Sequence, residues 1–155
     1  MSEKKTVNIP ASELVPIMEQ QLKAGRKVSF SPKGVSMRPL LREGKDSVTL
    51  APFSGEIKSY DIALYQRENG AYVLHRAIIK KNTLLFIGDN QFIYERGINR
   101  LQIKAVVCAV NRNGKEIGVE NLIYKGYCRI WQFTRPLRYF VYRVFRKVRS
   151  IINGK

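Results

Sequence analysis

Four side chains in this chain are of the types that serve as nucleophile, base and orienting acid. Ser36 stands in Lys33-Gly34-Val35-Ser36-Met37-Arg38-Pro39, after a flexible glycine and before a proline-ended turn. A serine so placed can project its hydroxyl while its own backbone N–H stays free, as a nucleophile beside an oxyanion donor requires. His75, in Tyr72-Val73-Leu74-His75-Arg76-Ala77-Ile78, is the only histidine of the chain. Neutral imidazole takes a hydroxyl proton near neutral pH, which makes His75 a candidate general base. One histidine without Cys or carboxylate partners at ligand spacing builds no metal cage, so neither a metal nor an organic cofactor is expected. Two acids could orient the imidazole: Asp89, in the turn Gly88-Asp89-Asn90, and Glu95, beside Arg96. Aspartate in such a turn ordinarily hydrogen-bonds local backbone amides. Taken singly, each residue has a plainer reading, as a turn serine, a core histidine, a turn aspartate and a solvated glutamate.

The elements that must position them are mostly strands. From Lys27 onward apolar residues alternate in short runs broken by turn residues, which predicts strands at Lys27–Ser31, Ser47–Ala51, Ile62–Arg67, Ala71–Ile79, Thr83–Ile87 and Lys104–Asn111. Glu68-Asn69-Gly70 and Asn113-Gly114 read as hairpin turns. Strands at this spacing predict a mostly β fold, a small antiparallel barrel or sandwich. Residues 12–24 predict an amphipathic helix with Leu14, Val15, Met18 and Leu22 on one face, Ser12 as cap, Pro16 in the first turn and Gly25 as stop. After Pro136 a helical stripe of Leu137, Phe140, Val141, Val144, Phe145, Val148, Ile151 and Ile152 predicts a helix over about 137–152.

The 155 residues suit one domain with an extension, read as a body over 1–124 and a basic tail over 125–155. Of the formal charge of +16, nine units lie in residues 121–155, which contain no acid. Such a tail suits a polyanion. Its apolar stripe reads either as the buried face of a helix packed on the body or as a face laid on an anionic membrane surface through residues 137–155; the basic polar face, with Trp131, Phe133, Tyr139 and Tyr142 close by, favours the membrane, and nucleic acid is not the expected partner. The longest run free of Asp, Glu, Lys and Arg is Ser47–Gly55, far short of a membrane span, and no apolar secretory segment follows Met1. Cys108 and Cys128 are too few for a disulfide framework. A cytoplasmic location, peripheral at the inner membrane face, is the expectation.

In order along the chain, these segments resemble the signal peptidase I superfamily of serine peptidases, which includes the self-cleaving LexA-like repressors. Ser36-Met37-Arg38-Pro39 is similar to its nucleophile box, Tyr60-Asp61-Ile62-Ala63-Leu64-Tyr65 to its Gly-Asp-Ile strand with Tyr60 in place of Gly, and Gly88-Asp89-Asn90 to its last box. Leu74-His75-Arg76 resembles the His-Arg box of the archaeal and endoplasmic-reticulum branch, where His replaces the bacterial catalytic Lys. That branch continues after Gly-Asp-Asn with Asp-Asp-Arg-Gly, onto which Tyr94-Glu95-Arg96-Gly97 falls without a gap. Several boxes in order are more specific than one. Two departures stand out: Lys45 is an extra residue in Gly44-Lys45-Asp46, and Gly34 replaces the hydroxyl-bearing oxyanion donor of some relatives.

The resemblance implies a serine endopeptidase acting on a peptide or protein substrate, with a signal-peptidase-like β domain. Ser36 would be the nucleophile and, through its backbone N–H, an oxyanion donor. His75 would be the base, Glu95 the acid that orients it, and Asp89 the residue supporting the turn. Two other expectations compete with it. One is a non-catalytic β scaffold that uses its tail on membrane or nucleic acid, and the other a self-cleaving regulator, for which the chain has neither a helix-turn-helix nor a Lys at position 75.

Overall fold

A computed structural model describes residues 11–153. Its N-terminal helix, α1 (Ala11–Lys23), buries Val15, Met18 and Leu22 along one face. It ends as expected at Gly25, where Gly25 N–H donates to the Leu22 carbonyl (2.9 Å) and Arg26 N–H to that of Gln21 (3.0 Å). The start differs from the expectation. The helix already includes Ala11, so Ser12 lies inside it and does not cap it, and Pro16 falls in the second turn, where its missing N–H costs one helical hydrogen bond.

Seven antiparallel strands follow in one sheet: β1 (Val28–Phe30), β2 (Ser47–Pro52), β3 (Ile62–Gln66), β4 (Tyr72–Lys80), β5 (Thr83–Ile87), β6 (Ile103–Arg112) and β7 (Lys115–Gly118). Six of them match the sequence reading to within one residue at each end. The seventh was announced only by its turn, Asn113-Gly114, whose two positive φ values (52° and 77°) give the twist that a two-residue hairpin needs. The strand order is β1-β2-β6-β3-β4-β5, with β7 also on β6. β6 carries β2 along one side and, on the other, β3 at its start and β7 at its end.

The fold is mostly β and antiparallel as expected, but its strands form one sheet and neither of the two forms expected, a closed barrel or a sandwich: among the described residues β1 and β5 stand at its two ends and no ladder joins them. Both of its faces are covered, so apolar surface is buried without closure. In β3, Ile62 and Leu64 enter one apolar cluster and Ala63 and Tyr65 the other, as alternating side chains must. The first cluster also takes Val15, Met18 and Leu22 from α1 and Met37, Leu40 and Leu41 from the segment after Ser36. The second is closed by Ile57, Phe53 and Ile98 from loops.

Two C-terminal helices complete the chain, α2 (Leu122–Phe133) and α3 (Arg135–Asn153). α2 was not expected; it straddles the boundary drawn between body and tail after residue 124 and buries Tyr124 and Cys128 in the first cluster. The Asn121 side chain caps it by accepting from the N–H groups of Ile123 and Tyr124. α3 contains the expected helix of 137–152. Its apolar row does not pack on the body: Leu137, Phe140 and Phe145 are each about two-thirds exposed, at 65, 65 and 70%. Leu122, Ile123, Ile130 and Phe133 of α2 are exposed as well. Among the described residues no helix is long and apolar enough to cross a membrane.

Candidate active site

Ser36 lies on the loop between β1 and β2, and three contacts seat its main chain on the turn after β5. The Ser36 carbonyl accepts from Asn90 N–H at 2.8 Å, and the Asn90 side chain donates to the Val35 carbonyl at 3.3 Å. The third is close approach. A Cβ built on Gly88 would stand 2.6 Å from the Ser36 carbonyl oxygen, so only glycine lets the two backbones meet. Gly34, two residues before Ser36, has φ +94°, a conformation that disfavours any side chain.

His75 lines the same cavity as Ser36. This opening, about 280 Å³, is also lined by Pro32, Lys33 and Gly34 of the loop after β1 and by Tyr72, Val73 and Leu74 of β4. Neighbours on a strand face opposite sides, and β4 uses this at His75 and Arg76. His75 projects to the face of Tyr65, while Arg76 projects to the other and is fully buried there with Asp89. Arg76 Nε and Nη2 donate to the two Asp89 oxygens at 2.8 and 2.7 Å, and Arg76 Nη1 reaches the Tyr60 carbonyl and Cys128 Sγ. The expectation that Asp89 accepts hydrogen bonds from local backbone amides is not met. Its carboxylate is held by a guanidinium from β4, and Gln132 Nε2 lies 3.3 Å away. The side chain of Asp89 is on Arg76 and not on His75.

Glu95 is on the His75 side. A backbone bridge with Phe86 of β5 delivers it there, the two residues exchanging N–H donors at 2.7 and 2.9 Å. Its Oε2 lies 3.8 Å from His75 Nδ1, beyond hydrogen-bond reach. Both of its oxygens are engaged elsewhere. Arg67 Nε donates to Oε1 and Arg67 Nη2 to Oε2, each at 2.7 Å, and the Tyr65 hydroxyl donates to Oε2 at 2.8 Å. The Tyr65 oxygen is in turn 3.1 Å from His75 Nδ1. The expected acid and base are therefore brought together with a phenol between them.

Arg67, first, and then Tyr65 hold the Glu95 carboxyl below its ordinary range. Burial dominates at His75 and lowers its pKa to about 4; Glu95 opposes the shift and Arg67 adds to it. Burial, aided by Glu95, raises the Tyr65 phenol far above its usual value, so it stays protonated.

Tyr65 and Arg67 were missed in the sequence, although the hairpin carried a signal for them. Counting back from Glu68-Asn69-Gly70 pairs Tyr65 with Val73, which makes Tyr65 the diagonal neighbour of His75 on the same face. Among the described residues no group of three or more His, Cys, Asp or Glu side chains is placed to hold a metal ion. Comparisons with protein-family models, with curated proteins and with solved structures give no match for this chain.

Proposed function

We propose that this chain is a serine endopeptidase with a signal-peptidase-like site. One observation carries the reading: Ser36 and the buried, neutral His75 line one cavity, and a carboxylate stands behind the imidazole on its Nδ1 side. His75 Nε2 takes the Ser36 hydroxyl proton as Oγ bonds to the scissile carbonyl carbon, and the Ser36 N–H faces the developing oxyanion. The proton then passes to the leaving amine as the C–N bond breaks. Water, activated by the same imidazole, hydrolyses the ester.

The walls of the cavity suggest how a substrate binds. β5 pairs with β4 only from Arg76 onward, so Tyr72–His75 have β3 on one side and the cavity on the other. An extended peptide fits there as an added strand between Pro32–Gly34 and Tyr72–His75. The test is to incubate the purified chain with a peptide mixture and with a serine-directed phosphonate. Cleavage together with phosphonylation at Ser36 supports the reading, and an inert chain that the phosphonate leaves unlabelled refutes it in favour of a binding module.

The pH profile follows from the histidine. His75 must be neutral to accept a proton, so cleavage is expected to rise with pH through about 4 and to be level near neutrality. Initial rates across the acid range check this. An acid limb at 6.5 or higher would mean that the working base is not an imidazole buried as His75 is.

An anionic membrane surface is the partner proposed for α3, and the cytoplasmic leaflet is the proposed setting. The helix has six Lys and Arg and no acid. At 100° per residue its exposed apolar side chains fall within an arc of about 140°, with the cations around the remainder. The chain is expected to sediment with anionic vesicles, to be released as salt rises, and to lose binding in Phe140→Asp/Phe145→Asp, whose exposed positions leave folding intact. Self-association without vesicle binding would assign the stripe to a second copy of the chain instead.

A further inference from the structure

The geometry points to Tyr65 as the residue that positions the base: its hydroxyl, and not a carboxylate, holds His75 Nδ1 and fixes the tautomer in which Nε2 is free for Ser36. The kinetic part of this inference rests on the hydrolytic reading above, whereas the tautomer does not. Tyr65 is fully buried between β4 and Phe86, whose ring centroid is 4.6 Å from its own. Among the described residues its oxygen makes hydrogen bonds with Glu95 Oε2 and His75 Nδ1, and the Arg67 guanidinium that holds Glu95 stands close by.

One phenolic proton must serve those two contacts, and electrostatics decides where it goes. An ionised carboxylate is an acceptor only, so the contact at 2.8 Å requires the Tyr65 O–H to point at Glu95. The lone pairs of the same oxygen then face His75 Nδ1, and a neutral imidazole satisfies them only by placing its proton on Nδ1. In the other tautomer two lone pairs would oppose each other at 3.1 Å in a buried site. The chain of donors runs from His75 Nδ1–H to Tyr65 Oη–H to Glu95 Oε2. Neutral imidazole free in water prefers the proton on Nε2, so the Tyr65 contact reverses an intrinsic preference and leaves the Nε2 lone pair to act as base.

Glu95 cannot take over this task from where it is. Arg67 holds both of its oxygens, and reaching Nδ1 from 3.8 Å would break the paired contacts at 2.7 Å. Its charge acts on the imidazolium at one remove, through a phenol that is polarised when Nδ1–H donates more strongly. Arg67 is thereby part of the device, since it keeps Glu95 ionised and turned toward Tyr65.

Tyr65→Phe removes the hydroxyl and keeps the ring against Phe86. His75 supplies every imidazole signal of a tag-free chain, so nitrogen-15 NMR reads its tautomer directly. The parent is expected to show the proton on Nδ1. Tyr65→Phe is expected to shift the population toward Nε2–H and to lower kcat about a hundredfold with little change in KM. A parent with Nε2–H overturns the inference even if the variant does not fold, and so does a folded Tyr65→Phe that keeps both tautomer and kcat. Ser36→Ala measured beside them separates the two readings: if it retains full activity the hydrolytic reading fails, and the NMR result still decides the role of Tyr65.

Discussion

Ser36→Ala is expected to fold like the parent and to lose peptide turnover by at least about a thousandfold, because in the proposed mechanism the Ser36 hydroxyl is the group that takes the acyl chain. Ser36 is half-buried, and the contacts that seat it on the turn after β5 are made by the backbone carbonyls of Val35 and Ser36, which alanine keeps. Stability should therefore be unchanged while the rate collapses. Glu95→Gln is expected to fall between variant and parent. Its side-chain carbonyl still accepts from Tyr65 or Arg67, but the negative charge behind His75 is gone, and a loss of roughly ten- to a hundredfold follows. Melting temperature and cleavage rate measured on the same preparations decide the matter. A Ser36→Ala chain cleaving at the parent's rate would remove Ser36 from the chemistry.

The largest effect on stability is expected at the pair Arg76–Asp89, both of whose side chains are at 0% exposure. Asp89→Asn leaves a guanidinium buried without its counter-charge, which costs about 3–5 kcal/mol. For a domain of this size that lowers Tm by on the order of 10 °C. Activity should fall with the fold, since the same turn seats the Ser36 carbonyl through Gly88 and Asn90. Urea titration of the variant gives the number directly. A loss below about 1 kcal/mol would mean that the site relaxes, for instance by admitting water to Arg76.

What could be read from the sequence was local. The strands were legible because period-two alternation and turn residues such as Asn69-Gly70 act over a few residues. The closure of the sheet was not, because whether β1 meets β5 depends on what covers each face, and the covering residues come from α1, α2 and loops far away in the chain. α2 was hidden for another reason. It exposes Leu122, Ile123, Ile130 and Phe133 while burying Tyr124 and Cys128, so apolar residues occupy both of its sides and no single stripe stands out. At the site, Ser36, His75 and Glu95 were named from their motifs, but the partners that complete the geometry were not. Asp89 finds Arg76 thirteen residues back, and His75 finds Tyr65 across a hairpin, and both pairings require the register of β3 on β4 and the path of the chain after β5.

The adjacency of His75 and Arg76 sets a limit on how this chain can change in length. One residue serves the cavity and the next anchors the opposite face, so their roles depend on odd and even positions along a single strand. A one-residue insertion between Tyr72 and His75 that kept the remainder of β4 in register would leave both in place; one that pushed the strand forward by a residue would turn the imidazole toward Asp89 and the guanidinium onto the apolar face of Tyr65 and Phe86. In a library of insertions and deletions, single-residue changes within Tyr72–Arg76 are therefore expected to be depleted far more than equal changes in the Glu68–Gly70 turn, and two-residue changes, which restore the alternation, to be depleted less.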